Sequence, residues 1–410
     1  MLRLSKGKRA KGIIKSKPED FRVEEITTNG HVLEMEKIYS PDMLGLKDEE
    51  GKFSIFVMQK TNWNTAQALK TLARRFRRGV KSTGFAGTKD RNAISTQLCS
   101  IFGVKADELS KVHIKDIKIN GAWSGNSKVE MGDLLGNRFA ITARETSDYE
   151  NIEGIISELN GIFPNYYGDQ RFGYRGTNVD VGLDILKGDF KGAAMRFLTE
   201  TQNETNEEAK IARERLLQEQ DFKEAMKYFP EYLKYEKMLI EYLARFPDNY
   251  ANAIRRLPRS ISLMFIHSVE SYIFNKELED RISQDKVKPE PKDIICYENS
   301  YGFPDISTFK EFDGSEDKKT FILGSILGYD TTLVTESEQK ILEELGLTLE
   351  SFKVKGLNEL NSKGTKRALF APFKEISHDN MEEEQALEMR FSLPAGSYAT
   401  VFLDEMLEGN

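Results

Sequence analysis

The spacing of apolar positions changes twice along the chain. From residue 11 to 174 short runs dominate: Ile13-Ile14 leads into the turn Lys17-Pro18-Glu19-Asp20-Phe21, and His31–Met35, Phe53–Met58, Ile94–Phe102, Lys115–Ile119 and Arg138–Thr142 follow. These runs are apolar and partly alternating, the pattern of half-buried strands. One segment differs. Between Thr65 and Arg78, Leu69, Leu72, Ala73 and Phe76 recur at i, i+3, i+4 and i+7, one face of an amphipathic helix. Thr65 is placed to cap that helix and Gly79 to stop it, and residues 150–160 predict another helix. After about residue 175 the helical period takes over. Residues 206–246 carry a stripe of Tyr232, Leu233, Tyr235, Leu239, Tyr242, Leu243 and Phe246 that reads as core; helices follow at 259–282 and around Ile341–Leu345. From Leu387 the alternation returns. A β-rich beginning and end around a helix-rich middle predicts one domain inserted into another, with no repeat or low-complexity linker.

Composition fits that division. With 410 residues, 39% of them hydrophobic and 10% aromatic, the chain can bury a sizeable core, as two domains or one large one. Cys99 and Cys296 are too few for a disulfide framework or a four-thiolate zinc site, and the scattered His31, His113, His267 and His378 argue against a metal cluster. No apolar stretch approaches the ~18 residues of a membrane span, and the N-terminus lacks a signal-type apolar region. The expectation is a soluble protein of a reducing compartment, the cytoplasm, with no metal, membrane or obligate protein partner.

The formal charge of −7 disfavours a nucleic-acid partner only until the charge is mapped. Residues 1–22 hold eight basic side chains, Arg3, Lys6, Lys8, Arg9, Lys11, Lys15, Lys17 and Arg22, against Glu19 and Asp20. Residues 66–91 hold Lys70, Arg74, Arg75, Arg77, Arg78, Lys81, Lys89 and Arg91 against Asp90 alone. The acids concentrate elsewhere, at 379–384 and through 199–245. Since salt screens charge beyond ~8–10 Å, local excess governs partner choice, and excess of this size is the footprint of phosphate binding.

Two loops carry candidate chemistry. Gly84-Phe-Ala-Gly87-Thr-Lys89-Asp90 lacks phosphate-loop spacing, because Thr88 separates Gly87 from Lys89. Asp90 is then either a turn former bonding its own backbone or a carboxylate kept ionised by Lys89 and Arg91, usable as nucleophile or base. No second nearby aspartate supports two-metal phosphodiester chemistry. Asn165-Tyr-Tyr-Gly-Asp-Gln-Arg171-Phe-Gly173 interleaves rings and cations, which suits either stacking on an unpaired RNA base or anchoring in the core.

Six segments in order, Gly12–Phe21, Phe85–Arg91, Gly136-Asn-Arg-Phe139, Asn165–Gly173, Ser271-Tyr-Ile-Phe-Asn275 and Leu393–Thr400, resemble the TruD family of tRNA pseudouridine synthases. The resemblance spans residues 12–406 and implies an α+β fold. That fold is a pseudouridine synthase-type catalytic domain with a mixed β-sheet and flanking helices, residues 1–174 and 366–410, interrupted by a helix-rich insertion at 175–365. It implies isomerisation of uridine to pseudouridine in tRNA (possible substrates extending to other RNA), typically at position 13, without cofactor. By motif, Asp90 is the catalytic aspartate, Lys15 the basic residue beside it, and Asn165 the asparagine near the base. Tyr167 stands where bacterial members carry phenylalanine. Lys70, Arg74, Arg75, Arg77, Arg78, Lys81, Lys89, Arg91 and Arg171 are the expected RNA contacts.

Overall fold

The alternating runs become strands in the computed structural model, which describes residues 1–408. In chain order these are β1 (Ala10–Ile13), β2 (Phe21–Thr27), β3 (Phe53–Thr61), β4 (Thr83–Phe85), β5 (Ile94–Phe102), β6 (Ile117–Gly125), β7 (Leu134–Ser147) and β8 (Ile162–Pro164). Helices α1 (Thr65–Arg75), α2 (Ala106–Ser110) and α3 (Ile152–Leu159) lie among them. The middle holds α4 (Asn178–Leu186), α5 (Phe190–Thr199), α6 (Glu207–Glu219), α7 (Phe222–Tyr228), α8 (Lys234–Arg245), α9 (Tyr250–Arg255) and α10 (Arg259–Ser283). It continues through β9 (Ile294–Glu298), β10 (Pro304–Glu311), β11 (Thr320–Ile326), α11 (Glu336–Leu345) and β12 (Thr365–Ala368). The chain closes with β13 (Phe370–Pro372), β14 (Lys374–Met381), β15 (Ala386–Pro394), α12 (Ala399–Leu403) and β16 (Leu407–Glu408).

Two units divide these elements. The first comprises Arg3–Asn165, Glu298–Pro304 and the chain from Ala371; the second comprises Tyr166–Tyr297 and Asp305–Phe370, with Met1–Leu2.

In the first unit, the sheet runs β14-β15-β7-β2-β5-β3-β6, with β1, β4 and β16 joined at the side. Most neighbours are antiparallel, but β2 and β5 pair in parallel, Arg22 opposite Ile94, so the sheet is mixed. In β3 every residue from Ser54 to Lys60 is buried, the mark of a strand covered on both faces. On one face Phe56, Met58 and Cys99 pack with Ala68, Leu69, Leu72 and Ala73 of α1; on the other Ile55 and Val57 pack with Leu33 and Trp123.

Helix α1 differs from its sequence reading at both ends. Asn64, not Thr65, is the cap, its side chain accepting the Gln67 N–H at 2.8 Å. The helix ends at Arg75 because Arg77 turns left-handed (φ 54°) and the Arg78 N–H returns to the Ala73 carbonyl, before Gly79 is reached. The run His31–Met35 forms only a single bridge, Ile26 to Val32, since the chain swings away at Glu36 with φ 58°.

The second unit packs α4 to α10 around Ile185, Leu198, Leu216, Leu239, Leu243 and Phe265. Gly182 permits α4 to meet α10 closely, since a Cβ there would lie 2.3 Å from the Phe265 carbonyl oxygen. The expected aromatic stripe is only partly core. Leu239 and Leu243 are fully buried, whereas Tyr232, Tyr235 and Phe246 are about half exposed, because the helix breaks between Tyr228 and Lys234 and its phase restarts. The unit also contains a four-stranded sheet, β10-β9-β11-β12, that apolar periodicity does not announce.

Candidate functional site

The loop between β4 and β5 is shaped by close packing at its start. A Cβ on Gly84 would sit 2.3 Å from the Val129 carbonyl oxygen and 2.6 Å from Ser100 Oγ, so only glycine fits. Beyond it the backbone is fastened at successive residues. The Gly132 N–H donates to the Ala86 carbonyl at 2.8 Å, and Gln97 Nε2 donates to the Gly87 carbonyl at 3.0 Å. The Lys89 N–H donates to Thr65 Oγ1 at 2.9 Å, and Lys60 Nζ donates to the Asp90 carbonyl at 2.8 Å. The main chain is thereby fixed from inside while the Asp90 side chain remains 57% exposed.

Lys15 meets that carboxylate. Its backbone is left-handed (φ 60°), a conformation costly for a long side chain, and Asn92 Nδ2 holds its carbonyl at 2.7 Å. Its ammonium lies 4.5 Å from the centre of the Phe21 ring and donates to Asp90 Oδ2 at 2.7 Å. An ion pair this open adds little stability. Its consequence is directional: one carboxylate oxygen is engaged by a cation whose own position is set by a ring and an amide.

Lys89 corrects an expectation. Its side chain is 4% exposed and pairs with Glu25, itself 1% exposed, at 2.7 Å. An ammonium sealed in this way does not contact phosphate; it locks the loop to β2. Glu25 also accepts the Leu98 N–H at 2.8 Å, tying β2 to β5.

Sequence reasoning missed Glu25 and Lys60, though strand parity carries a signal for both. Glu25 continues the inward face of Phe21 and Val23, and Lys60 continues that of Phe56 and Met58. Lys60 is fully buried, and burial pulls its ammonium down to about 8, with Asp90 opposing the shift and Lys89 adding to it.

The other expected cations remain at the surface: Lys70, Arg74, Arg75, Arg77, Arg78, Lys81 and Arg91 are exposed, with Arg78 donating to the Gly103 carbonyl. Asn165 is 3% exposed, directly after β8.

Tyr167 belongs to the second unit and is only 9% exposed. Its ring meets Phe274 edge-on at 5.6 Å, with Arg367 and Arg171 at 4.3 and 5.1 Å from its centre, and Asn275 bonds its N–H and carbonyl. The ring is therefore dressed by guanidinium groups rather than bare. It lines a cavity of about 370 Å³ with Arg171, His267, Glu270, Lys363 and Gly364. Glu270 is 2% exposed; one carboxylate oxygen bonds His267 Nδ1 at 2.8 Å and the other has no partner among the described residues.

Among the described residues no cluster of three or more His, Cys, Asp or Glu could hold a metal, and no helix is long and apolar enough to cross a membrane. Both cysteines are buried free thiols, and burial pushes Cys296 up to about 12.

A family model described as tRNA pseudouridine synthase D (TruD) matches residues 2–406. A Thermococcus sibiricus protein named "Probable tRNA pseudouridine synthase D" is 35% identical, over 99% of this chain and 97% of its own. A Methanococcoides burtonii protein of the same name is 32% identical, over 97% and 93%. The crystal structure of a Methanosarcina mazei protein named "Putative tRNA pseudouridine synthase D (TruD)" superposes with a TM-score of 0.77. It is 33% identical and covers 100% of this chain and 96% of its own.

Proposed function

Because the chain belongs to the TruD family of tRNA pseudouridine synthases, we propose that it isomerises uridine to pseudouridine in tRNA, at position 13, with Asp90 as the reacting carboxylate. The observation that carries the assignment is the Lys15–Asp90 contact at 2.7 Å, on a loop pinned from within and open to solvent. The reaction is internally balanced. The C1′–N1 bond breaks, C1′–C5 forms, N1 gains a proton and C5 loses one, so no oxidant, reductant or co-substrate is required.

The target nucleotide must leave its stack before the ribose can be reached. Asp90 then either attacks C1′ or removes a ribose proton to give a glycal, and the freed uracil turns and rejoins through C5. Lys15 orients the carboxylate through its charge-assisted hydrogen bond to Oδ2. Tyr167, its ring already covered by Arg367 and Arg171, would back a guanidinium plane on which an unstacked base can lie, and Asn165 is assigned to the base. We take the second unit as the family's insertion and place the enzyme in the cytoplasm. The test is carbodiimide mapping: unmodified tRNA incubated with the protein acquires a reverse-transcription stop at the modified uridine. No stop at any uridine refutes the assignment.

The exposed face of α1 and the basic turn that follows it, Arg77 and Arg78, are the proposed grip on RNA phosphates. Arg74→Glu combined with Arg77→Glu is expected to weaken tRNA binding about tenfold or more at low salt, and to reduce the slope of log affinity against log salt by about two. A gel-shift titration at several salt concentrations measures both. Unchanged affinity and slope remove this helix from the contact surface.

A further inference from the structure

We propose that Lys60 is a positioning residue for the isomerisation, holding the main chain of Asp90 so that its carboxylate meets the ribose in one orientation. The inference rests on the reading that Asp90 is the reacting group.

Lys60 sits near the end of β3, paired with Ser95 of β5, on the strand face that also carries the apolar Phe56 and Met58. Its side chain is fully buried. Burying an ammonium costs several kcal/mol, and stability alone favours an apolar side chain of similar length, such as methionine, beside Phe56 and Met58. What the ammonium provides instead is a charge-assisted hydrogen bond to the Asp90 carbonyl at 2.8 Å. Lys15 engages the carboxylate of the same residue at 2.7 Å. Asp90 is thus held at both ends, main chain by Lys60 and side chain by Lys15. Two-point fixation matters here because displacement of a reacting group by about 1 Å costs on the order of 10²-fold in rate.

The same geometry makes the hold depend on pH. The groups facing Lys60 are Asp90, which favours its charge, Lys89, which opposes it, and the buried Cys99; Glu25 neutralises Lys89. Lys60 loses its proton near pH 8, against an ordinary 10.5, and its charge-assisted bond becomes a neutral one of about half the strength. Turnover should therefore step down as pH rises through about 8. Stability moves the other way. Between about 8 and 10.5 the unfolded chain carries the proton that folded Lys60 has lost, so this group makes the fold more stable as pH rises. The opposite signs separate loss of positioning from unfolding.

The experiment compares wild type, Lys60→Met and Lys60→Arg by pseudouridine formation across pH 6–10, with tRNA affinity and thermal unfolding measured in parallel. Lys60→Met is expected to lower kcat about 10²-fold with KM and tRNA affinity within about twofold, and to lose the step near pH 8. Lys60→Arg, always charged, is expected to retain more activity and also to lose the step, which decides the matter if the methionine variant folds poorly. Wild-type kcat in Lys60→Met, or the step persisting in both variants, overturns the proposal alone. Wild-type protein that forms no pseudouridine overturns the functional assignment and this inference with it.

Discussion

Asp90→Asn is expected to reduce pseudouridine formation by on the order of 10⁴-fold or more, while tRNA affinity stays within about twofold of wild type. The amide has the size of the carboxylate and can occupy the same space on a side chain that is 57% exposed, so the loop has no packing reason to move. The Lys60 bond to the Asp90 carbonyl and the Thr65 bond to the Lys89 N–H involve main chain and survive the change. Lost are the negative charge, the nucleophile and the proton acceptor. Lys15 loses its ionic partner, but a pair this open is worth only about 0–1 kcal/mol, so thermal stability should hardly change. Turnover is read as release of tritium from C5-labelled uridine in tRNA, since the C5 proton must leave before the product is complete. Tritium release by Asp90→Asn at even a tenth of the wild-type rate removes the carboxylate from the mechanism.

Much of this site is written in local sequence, and the missing part is not. Helix α1 is legible because a stripe of apolar side chains and an exposed basic face are properties of a few consecutive turns. The Asp90 loop is legible because glycine, lysine and aspartate crowd into one short segment. By contrast, the burial of Lys89 depends on Glu25, a residue 64 positions away, and on the parallel pairing of β2 with β5. Counting charges along the chain places Lys89 with its basic neighbours; only the pairing reveals that its charge is already neutralised. Thr65 illustrates the same limit. Its position suits a cap, yet its hydroxyl accepts the Lys89 N–H and donates to Gln97 Oε1 at 2.8 Å, tying helix, loop and strand together. The sheet of the second unit escapes notice for another reason. Strand β10 is mostly exposed or half-exposed along its length, so it has no apolar rhythm to read, and it is recognised only by its partner β9.

The buried pair also sets a large expected effect on stability. Glu25→Ala should lower unfolding free energy by about 3–5 kcal/mol, because it strands the Lys89 ammonium in a site that is 4% exposed and removes the acceptor of the Leu98 N–H. Glu25→Gln should cost less, since the amide oxygen still accepts from Leu98. The double change Glu25→Met with Lys89→Met should recover most of the loss, because replacing both charges with apolar side chains removes the uncompensated ammonium. Urea unfolding followed by circular dichroism measures all three, and a Glu25→Ala midpoint equal to wild type would show that Lys89 finds water or another partner. Activity distinguishes a second consequence. Lys89 immediately precedes Asp90, and the Glu25 bond is one of the fastenings that hold this loop against β2. At a temperature where the double variant is fully folded, its turnover should still fall below wild type, because the refilled core restores burial without restoring the directed bond. A double variant with both wild-type stability and wild-type turnover would confine the pair to packing and leave the orientation of Asp90 to Lys15, Lys60 and Thr65.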